Sequence, residues 1–193
     1  MVNWVLIVEG GAKGQLAVEA RRAFSTLLKN AGLRGKLPRV VAGGGRGEAF
    51  DRYQSALRTG ERLALLVDSE DAVTTEDPWA HVRQRDNWAR PSGATAEQLH
   101  LMVRSMEAWL LRDPSALAKY FGKGFAPNRL PSGPPENVDR HATVDALERA
   151  ATDTTKRGYK KGRDGFRLME LMDPALLNGE AWAKRFLDFA KRQ

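Results

Sequence analysis

A chain of 193 residues, 42% of them apolar, is long enough for one well-buried core with a small appended lobe. It contains no cysteine, which excludes disulfides, a thiol nucleophile and thiolate metal sites, and its three histidines (His81, His100 and His141) lack zinc-site spacing. The formal net charge of +7 is shared between both halves of the chain, so it does not by itself indicate a polyanionic partner. Because the chain offers neither thiolates nor histidines at zinc-site spacing, any metal ion would be a hard, oxygen-liganded one such as Mg²⁺.

The sequence also bears on location. No apolar run approaches the roughly 18 residues that cross a membrane. The start, MVNWVLIVEGG, lacks the basic region and the cleavage site of a signal peptide. We therefore expect a cytoplasmic protein that makes no membrane contact.

The first part of the chain alternates between predicted strands and helices. The apolar run LIV ends at Glu9 and passes into GGAKG, and apolar residues then recur at helical spacing from Leu16 to Ala31, with Gly32 placed to end that helix. Next come a predicted strand in LPRVVAGGG (37–45) and a predicted helix in RGEAFDRYQSAL (46–57). A buried strand is predicted in RLALLVDSED (62–71) and a fourth strand in QLHLMV (98–103). This order predicts an α/β fold with an open, mainly parallel sheet of about four strands flanked by helices.

The remainder of the chain predicts a helical extension. It contains a capped helix over 113–122, a proline-rich connector over 126–140 and a short helix over about 143–152. A terminal helix follows, in which Trp182, Phe186 and Phe189 share a face. We expect an α/β core over 1–112. The basic extension over 113–193 should pack on that core and carry its basic segment towards the acidic edge of the sheet.

Acidic side chains follow three of the predicted strands. Glu9 ends the first strand, Asp68 and Glu70 follow the third, and Glu107 lies just past the fourth. The carboxyl ends of parallel strands meet at one edge, where ligands bind. These motifs contain no basic residue that would be buried beside the acids, and such a cluster repels itself unless a cation joins it. The pattern predicts a divalent metal ion, Mg²⁺ or Mn²⁺, held by Glu9 together with Asp68 and Glu70.

Some of these features have simpler interpretations. Glu107 could occupy the first turn of a helix capped by Ser105, where its charge favours the helix dipole. Asp71 could be a turn residue. The glycines of GGAKG match neither G-x-G-x-x-G nor G-x-x-x-x-G-K-[ST], so they are only a weak indication of a nucleotide-binding loop.

One basic segment stands out, KRGYKKGRDGFR (156–167). It carries six basic residues against Asp164, with Tyr159 and Phe166 interleaved. That combination favours phosphate contacts together with base stacking. A solvated charge run is the alternative interpretation.

At this point the sequence resembles a known domain. LIVEGG, followed in the third predicted strand by LLVDSED, resembles the Toprim domain of topoisomerases, primases and nucleases of the overcoming-lysogenization-defect type. That pattern has a glutamate after the first strand and Asp-x-Asp after a later one. They correspond here to Glu9 and to Asp68 with Glu70, so a glutamate replaces the second aspartate. The resemblance covers roughly 1–112 and implies a Toprim-like, Rossmann-like fold.

Nearly the whole chain, including SMEAWLLRD and GYKKGRDGF, also resembles an uncharacterised bacterial family often encoded beside ABC-type ATPases in defence loci. The resemblance implies a Mg²⁺-dependent nuclease acting on DNA or RNA, the effector of a phage-defence system controlled by a partner ATPase. In Toprim nucleases the aspartates hold Mg²⁺, and the glutamate shares a metal or acts as general base.

Phosphodiester hydrolysis gives further residues an expected role. It needs a deprotonated water and a stabilised leaving oxygen, which carboxylate-held metals supply. Glu107 would then be a second-metal ligand, and Lys13 or Lys160 a cation near the phosphate. The expected nucleic-acid contacts are Lys13, Lys160, Lys161 and Arg163.

Two other function classes stay open. One is a non-catalytic, regulatory or nucleic-acid-sensing subunit of an ATPase complex. The other is a small-molecule phosphatase with Asp68 as nucleophile, which fits poorly because Ala72 stands where that motif has Thr or Val. Docking surfaces for an ATPase are expected at 87–94, around Trp88, and on the terminal helix bearing Trp182 and Phe186. In the alternative, both tryptophans complete the core. A homo-oligomer is also compatible with the sequence.

Overall fold

The computed structural model describes residues 4–11 and 13–193, and its strands form a parallel sheet. The strands are β1 (Val5–Val8), β2 (Arg39–Ala42), β3 (Leu63–Asp68) and β4 (Leu99–Met102). Their order across the sheet is β2-β1-β3-β4. Four parallel strands joined through helices confirm the predicted α/β fold class.

Apolar cores cover both faces of this sheet. Every residue of β1 and β3 is buried, which explains why both strands are apolar runs up to Asp68, the last residue of β3. Because side chains alternate along a strand, Leu6 and Val8 belong to one core cluster and Val5 and Ile7 to the other.

Helices account for most of the remaining structure. They are α1 (Gly14–Asn30), α2 (Arg46–Leu57), α3 (Pro78–Asp86), α4 (Met106–Leu110), α5 (Pro114–Phe121), α6 (Arg140–Ala151), α7 (Arg163–Leu171) and α8 (Ala181–Arg192). The helix predicted over 46–57 is confirmed with the same bounds. Helix α3 was not predicted from the sequence, nor was the start of α7 within the basic segment. Leu16, the first of the apolar residues at helical spacing in α1, is 41% exposed.

The C-terminal helices pack against the sheet. Phe186 of α8 and Leu168 of α7 are buried in the same cluster as Leu6 of β1 and Phe24 of α1. The extension over 113–193 therefore shares a core with the α/β part. Among the described residues, no helix is both long enough and apolar enough to cross a membrane.

This shared core contains a buried histidine. His100 of β4 packs against the rings of Phe186 and Phe189, with centroids 5.3 and 4.7 Å away. Neither ring nitrogen has a hydrogen-bond partner within the described part of the chain. Burial, with a smaller contribution from the positive charge of Arg185, lowers the pKa of His100 to about 3.

We expect this histidine to make stability fall in mild acid. Its pKa is lower in the folded chain than in the unfolded chain, where it is about 6.5. The unfolded state therefore takes up more protons as the pH falls, and the free energy of unfolding should drop by about 2 kcal/mol between pH 7.5 and pH 5. Urea denaturation of the wild type and of His100→Leu measures this contribution as the difference between their pH profiles. The exposed His141 provides the control: His141→Gln should keep the wild-type profile, and a His100→Leu profile equal to the wild type would contradict the prediction.

Candidate metal centre

The candidate site lies at the topological switch point of the sheet, where the chain changes the side of β1 on which it adds strands. From β1 the chain crosses to β2 on one side, and it later returns to β3 on the other side of β1. Glu9 directly follows β1, and Asp68 is the last residue of β3. The carboxyl ends of two strands that diverge in this way leave a crevice between them, which is the usual ligand position in open α/β sheets.

Three of the predicted acids converge in this crevice. Glu9, Asp68 and Glu70 each offer one carboxylate oxygen, and these oxygens lie within 4.8 Å of one another. They line a cavity of about 210 Å³. The other residues that line it are Gly10, Gly11, Leu16, Met102, Met106, Glu107, Arg140, Lys161, Gly162 and Phe166. The expected convergence of the acids at the ends of β1 and β3 is therefore observed.

Backbone hydrogen bonds fix two of these carboxylates. The Asp68 amide donates to Oε2 of Glu9 at 3.0 Å, and the Met106 amide donates to Oδ1 of Asp68 at 2.8 Å. Burial raises the pKa of Asp68 well above its usual range, and the charges of Glu9 and Glu107 raise it further. Burial also raises the pKa of Glu9, against the opposing charge of Arg46. The site therefore concentrates negative charge that is costly to keep ionised without a cation.

Glu107 lies on the same cavity and is fully buried. The Tyr159 hydroxyl donates to its Oε1 at 3.0 Å, whereas its Oε2 has no hydrogen-bond partner among the described residues. Ser105 occupies the predicted N-cap position of α4, but its side chain makes no capping hydrogen bond. Asp68 accepts from the first amide of that helix instead.

The donor set fits a hard divalent cation. All four side chains are carboxylates, which are the ligands that Mg²⁺ and Mn²⁺ prefer. A buried carboxylate oxygen without a partner is costly, because nothing replaces its lost hydration. Oε2 of Glu107 is not one of the three converging oxygens and has no hydrogen-bond partner in the part of the chain that the structure describes, so it is a further observation that favours a cation in this cavity.

Basic residues from segments outside these motifs face the acids. Nη1 of Arg46 lies 3.7 Å from Oε2 of Glu9, and both Arg85 and Arg140 contact Oε2 of Glu70. These partners come from α2, α3 and the first residue of α6. The carboxylates are partly neutralised before any metal ion binds.

Arg46 connects several parts of the site. Its guanidinium forms a two-pronged ion pair with Asp86, with Nε and Nη2 at 3.1 and 2.6 Å from the carboxylate oxygens. Nη1 also donates to the carbonyl oxygen of Asp68. The same group lies 4.8 Å from the ring centroid of Trp88. Arg46 thus ties the ends of β1 and β3 to α3.

The glycines after β1 allow the chain to turn tightly beneath the cavity. Gly11 has φ of +65°, and a Cβ there would lie 2.7 Å from both the Ala20 Cβ and the Leu16 carbonyl oxygen. Larger residues would strain the backbone and clash with α1. Gly11 of LIVEGG is thereby explained by its backbone conformation and by packing against α1.

The basic segment is only partly as predicted. Tyr159 and Phe166 are each 3% exposed and belong to the core, so the expectation that they stack on bases is wrong. Lys161 lines the cavity. The other predicted nucleic-acid contacts, Lys13, Lys160 and Arg163, are exposed and do not line it.

The aromatic residues of the predicted docking surfaces pack largely inside the fold. Phe186 is fully buried, so it does not offer an exposed anchor. Trp88 stacks on Phe50 with centroids 4.3 Å apart, and Trp182 packs against the same core cluster. The alternative, in which both tryptophans complete the core, agrees with these contacts.

Four residues that contact the acids of the site were not predicted from the sequence: Arg46, Arg85, Arg140 and Tyr159. A signal for Arg46 was available, because it directly follows the glycines after β2 and so lies at the same sheet edge as the acids. Arg140 sits at the end of an irregular connector, and Tyr159 lies in a loop. No periodicity marks either residue.

A parallel α/β sheet with a carboxylate cavity at its topological switch point defines a protein with a candidate divalent-metal centre. Residues 12–189 match the family model described as "Domain of unknown function (DUF4276)". The chain therefore belongs to the DUF4276 family. No curated protein and no solved structure matches it.

Proposed function

We propose that the protein is a metal-dependent nuclease that hydrolyses phosphodiester bonds of DNA or RNA. The observation that carries this proposal is the cavity at the switch point. It joins three converging carboxylates, the unpaired carboxylate oxygen of Glu107 and the cationic side chain of Lys161. The resemblance of the Glu9 and Asp68/Glu70 motifs to Toprim nucleases supports the same reaction class.

In this function the residues of the cavity have distinct roles. Glu9, Asp68 and Glu70 would hold Mg²⁺ or Mn²⁺, and Glu107 would hold a second ion. Bound divalent ions activate water and stabilise developing charge on phosphate oxygens. The backbone amides of Asp68 and Met106 keep the Glu9 and Asp68 carboxylates in place. Lys161 adds a positive charge where a substrate phosphate would enter.

Binding and control extend beyond the cavity. The exposed Lys13, Lys160 and Arg163 are proposed to contact the nucleic-acid backbone, which attracts basic side chains without regard to sequence. The resemblance to proteins encoded beside ABC-type ATPases supports a partner ATPase that controls cleavage in phage defence. In that arrangement the isolated chain cleaves weakly, and the partner raises its activity.

Metal binding tests the proposed centre directly. In calorimetric titrations with Mn²⁺, Asp68→Asn is expected to weaken the affinity by about 100-fold or more, since even residues that only orient metal ligands contribute about 10–100-fold. The variant keeps an oxygen for the Met106 amide and removes a charge repelled by Glu9 and Glu107, so its metal-free melting temperature should not fall.

Asp113→Asn is the matched control. Asp113 is likewise buried and accepts backbone amides, from Ala116 and Asp173, but it does not line the cavity. Its Mn²⁺ affinity should equal that of the wild type. Unchanged Mn²⁺ binding in folded Asp68→Asn would refute the proposed centre.

A further inference from the structure

Glu70 is bound by two arginines at the rim of the cavity. Its Oε2 lies 3.3 Å from Nη2 of Arg85 and also contacts Nη1 of Arg140. The backbone of Glu70 has φ of +67°, a conformation that non-glycine residues rarely adopt, and its side chain is only 14% exposed. The carboxylate that completes the proposed metal centre is therefore already occupied by cations.

The two arginines differ in their other contacts. Arg85 also pairs with Asp71 and Asp86, so three carboxylates hold it. For Arg140, Glu70 is the one acidic partner within residues 4–11 and 13–193. Arg140 lines the cavity, whereas Arg85 is not part of its lining. If Glu70 turns to a metal ion, Arg85 keeps two partners and Arg140 loses its partner.

A released Arg140 would suit a phosphate. The planar guanidinium fork that binds a carboxylate binds phosphate oxygens in the same way. Lys161 lines the same cavity, and the positive charges of Arg140 and Lys161 both act on Glu9. Two cations would then flank the carboxylates at the point where a substrate anion must approach.

We propose that Arg140 is a phosphate-binding residue that Glu70 occupies until a metal ion binds, and that Arg140 then passes from Glu70 to a phosphate group of the substrate. This inference rests on the proposed function. Metal and phosphate consequently bind cooperatively, because each favours the arrangement in which Glu70 and Arg140 are separated. The coupling is reciprocal, so it can be measured as a change in metal affinity.

The experiment measures Mn²⁺ affinity by calorimetry with three additives in turn. They are a phosphorothioate-linked thymidine dinucleotide, which resists hydrolysis, inorganic phosphate, and thymidine, which has no phosphate. In the wild type we expect the dinucleotide to tighten Mn²⁺ binding by about tenfold and thymidine to leave it unchanged. An equal effect of inorganic phosphate would show that the site takes a phosphate from either source, and an effect of the dinucleotide alone would assign it to a phosphodiester.

Variants separate Arg140 from a general effect of charge. Arg140→Gln is expected to abolish the tightening by the dinucleotide, whereas Arg85→Gln removes the same charge from the same carboxylate and should retain it. Arg140→Lys keeps the charge but not the planar fork, so it should retain only part of the tightening by the dinucleotide. It replaces the glutamine variant in the test if that variant does not fold.

The outcomes also distinguish a failure of the proposed role of Arg140 from a failure of the proposed metal centre. Wild-type Mn²⁺ binding that no phosphate compound changes would overturn the role of Arg140 while leaving the metal centre in place. The same conclusion follows if Arg140→Gln keeps the coupling or Arg85→Gln loses it equally. Failure of the wild type to bind Mn²⁺ at all would overturn the metal centre and this inference together.

Discussion

Asp68→Asn is expected to lower metal-dependent cleavage of nucleic acid by on the order of 10³-fold, the scale at which single groups that stabilise the reacting centre contribute. Asp68 is central to the site, because it accepts a hydrogen bond from the Met106 amide, its own amide donates to Glu9, and its charge is repelled by those of Glu9 and Glu107. The asparagine keeps the size and one acceptor oxygen but removes the charge that would bind the metal. Cleavage of labelled single- and double-stranded DNA and RNA in Mg²⁺ or Mn²⁺ measures the effect.

This assay should be run with the chain alone and together with the ATPase that the resemblance implies. Asp113→Asn should cleave like the wild type in both settings. Cleavage that survives Asp68→Asn would overturn the proposed site. Mn²⁺ binding without cleavage in either setting would instead favour the regulatory or nucleic-acid-sensing role. Strong cleavage by the isolated wild type would remove the need for a partner but not the nuclease assignment.

Arg46→Met is expected to lower the free energy of unfolding by about 2 kcal/mol in metal-free buffer, since Asp86 loses two charge-assisted hydrogen bonds and keeps Arg85 as its partner. The side chains of Arg46 and Asp86 are only 12% and 10% exposed. The substitution also removes the cation beside Glu9 and the contact with the Asp68 carbonyl oxygen. Urea denaturation in the presence of a chelator measures the loss.

Arg39→Met is the surface control for this prediction. Arg39 pairs with Glu61, and their side chains are 54% and 42% exposed, so its loss should cost less than about 1 kcal/mol. Saturating Mn²⁺ should restore part of the stability of Arg46→Met, because an ion that binds the folded state supplies a counter-charge to Glu9. An Arg46→Met variant as stable as Arg39→Met would show that Arg46 does not hold the site together.

The parallel sheet and its acidic edge followed from local patterns. The runs VLIV and LALLV are apolar at every position, as expected of strands that are covered on both faces. The long connections between these strands favour parallel pairing, and parallel pairing brings their carboxyl ends to one edge. The positions of Glu9, Asp68 and Glu70 relative to the strand ends were therefore sufficient to predict their convergence.

The helices that were missed carry weaker local signals. In α3, charged residues are distributed around a helix of nine residues, so no apolar stripe marks it. Its start was nevertheless readable, because Asp77 caps the helix and Pro78 takes its first position. In the basic segment, the many charged residues of 156–167 indicate a polar loop, so the first turn of α7 was not predicted.

The identity of the acidic residues and the edge of the sheet at which they meet were determined by the sequence itself, because strand burial and parallel crossovers are properties of short segments. Their charge partners were decided by the tertiary structure. Arg46, Arg85 and Arg140 reach Glu9 and Glu70 from three helices, and Tyr159 reaches Glu107 from a distant loop. An ion pair or a buried hydrogen bond depends on distances of a few ångströms between side chains. The packing of whole helices sets those distances, and no pattern along the chain encodes them.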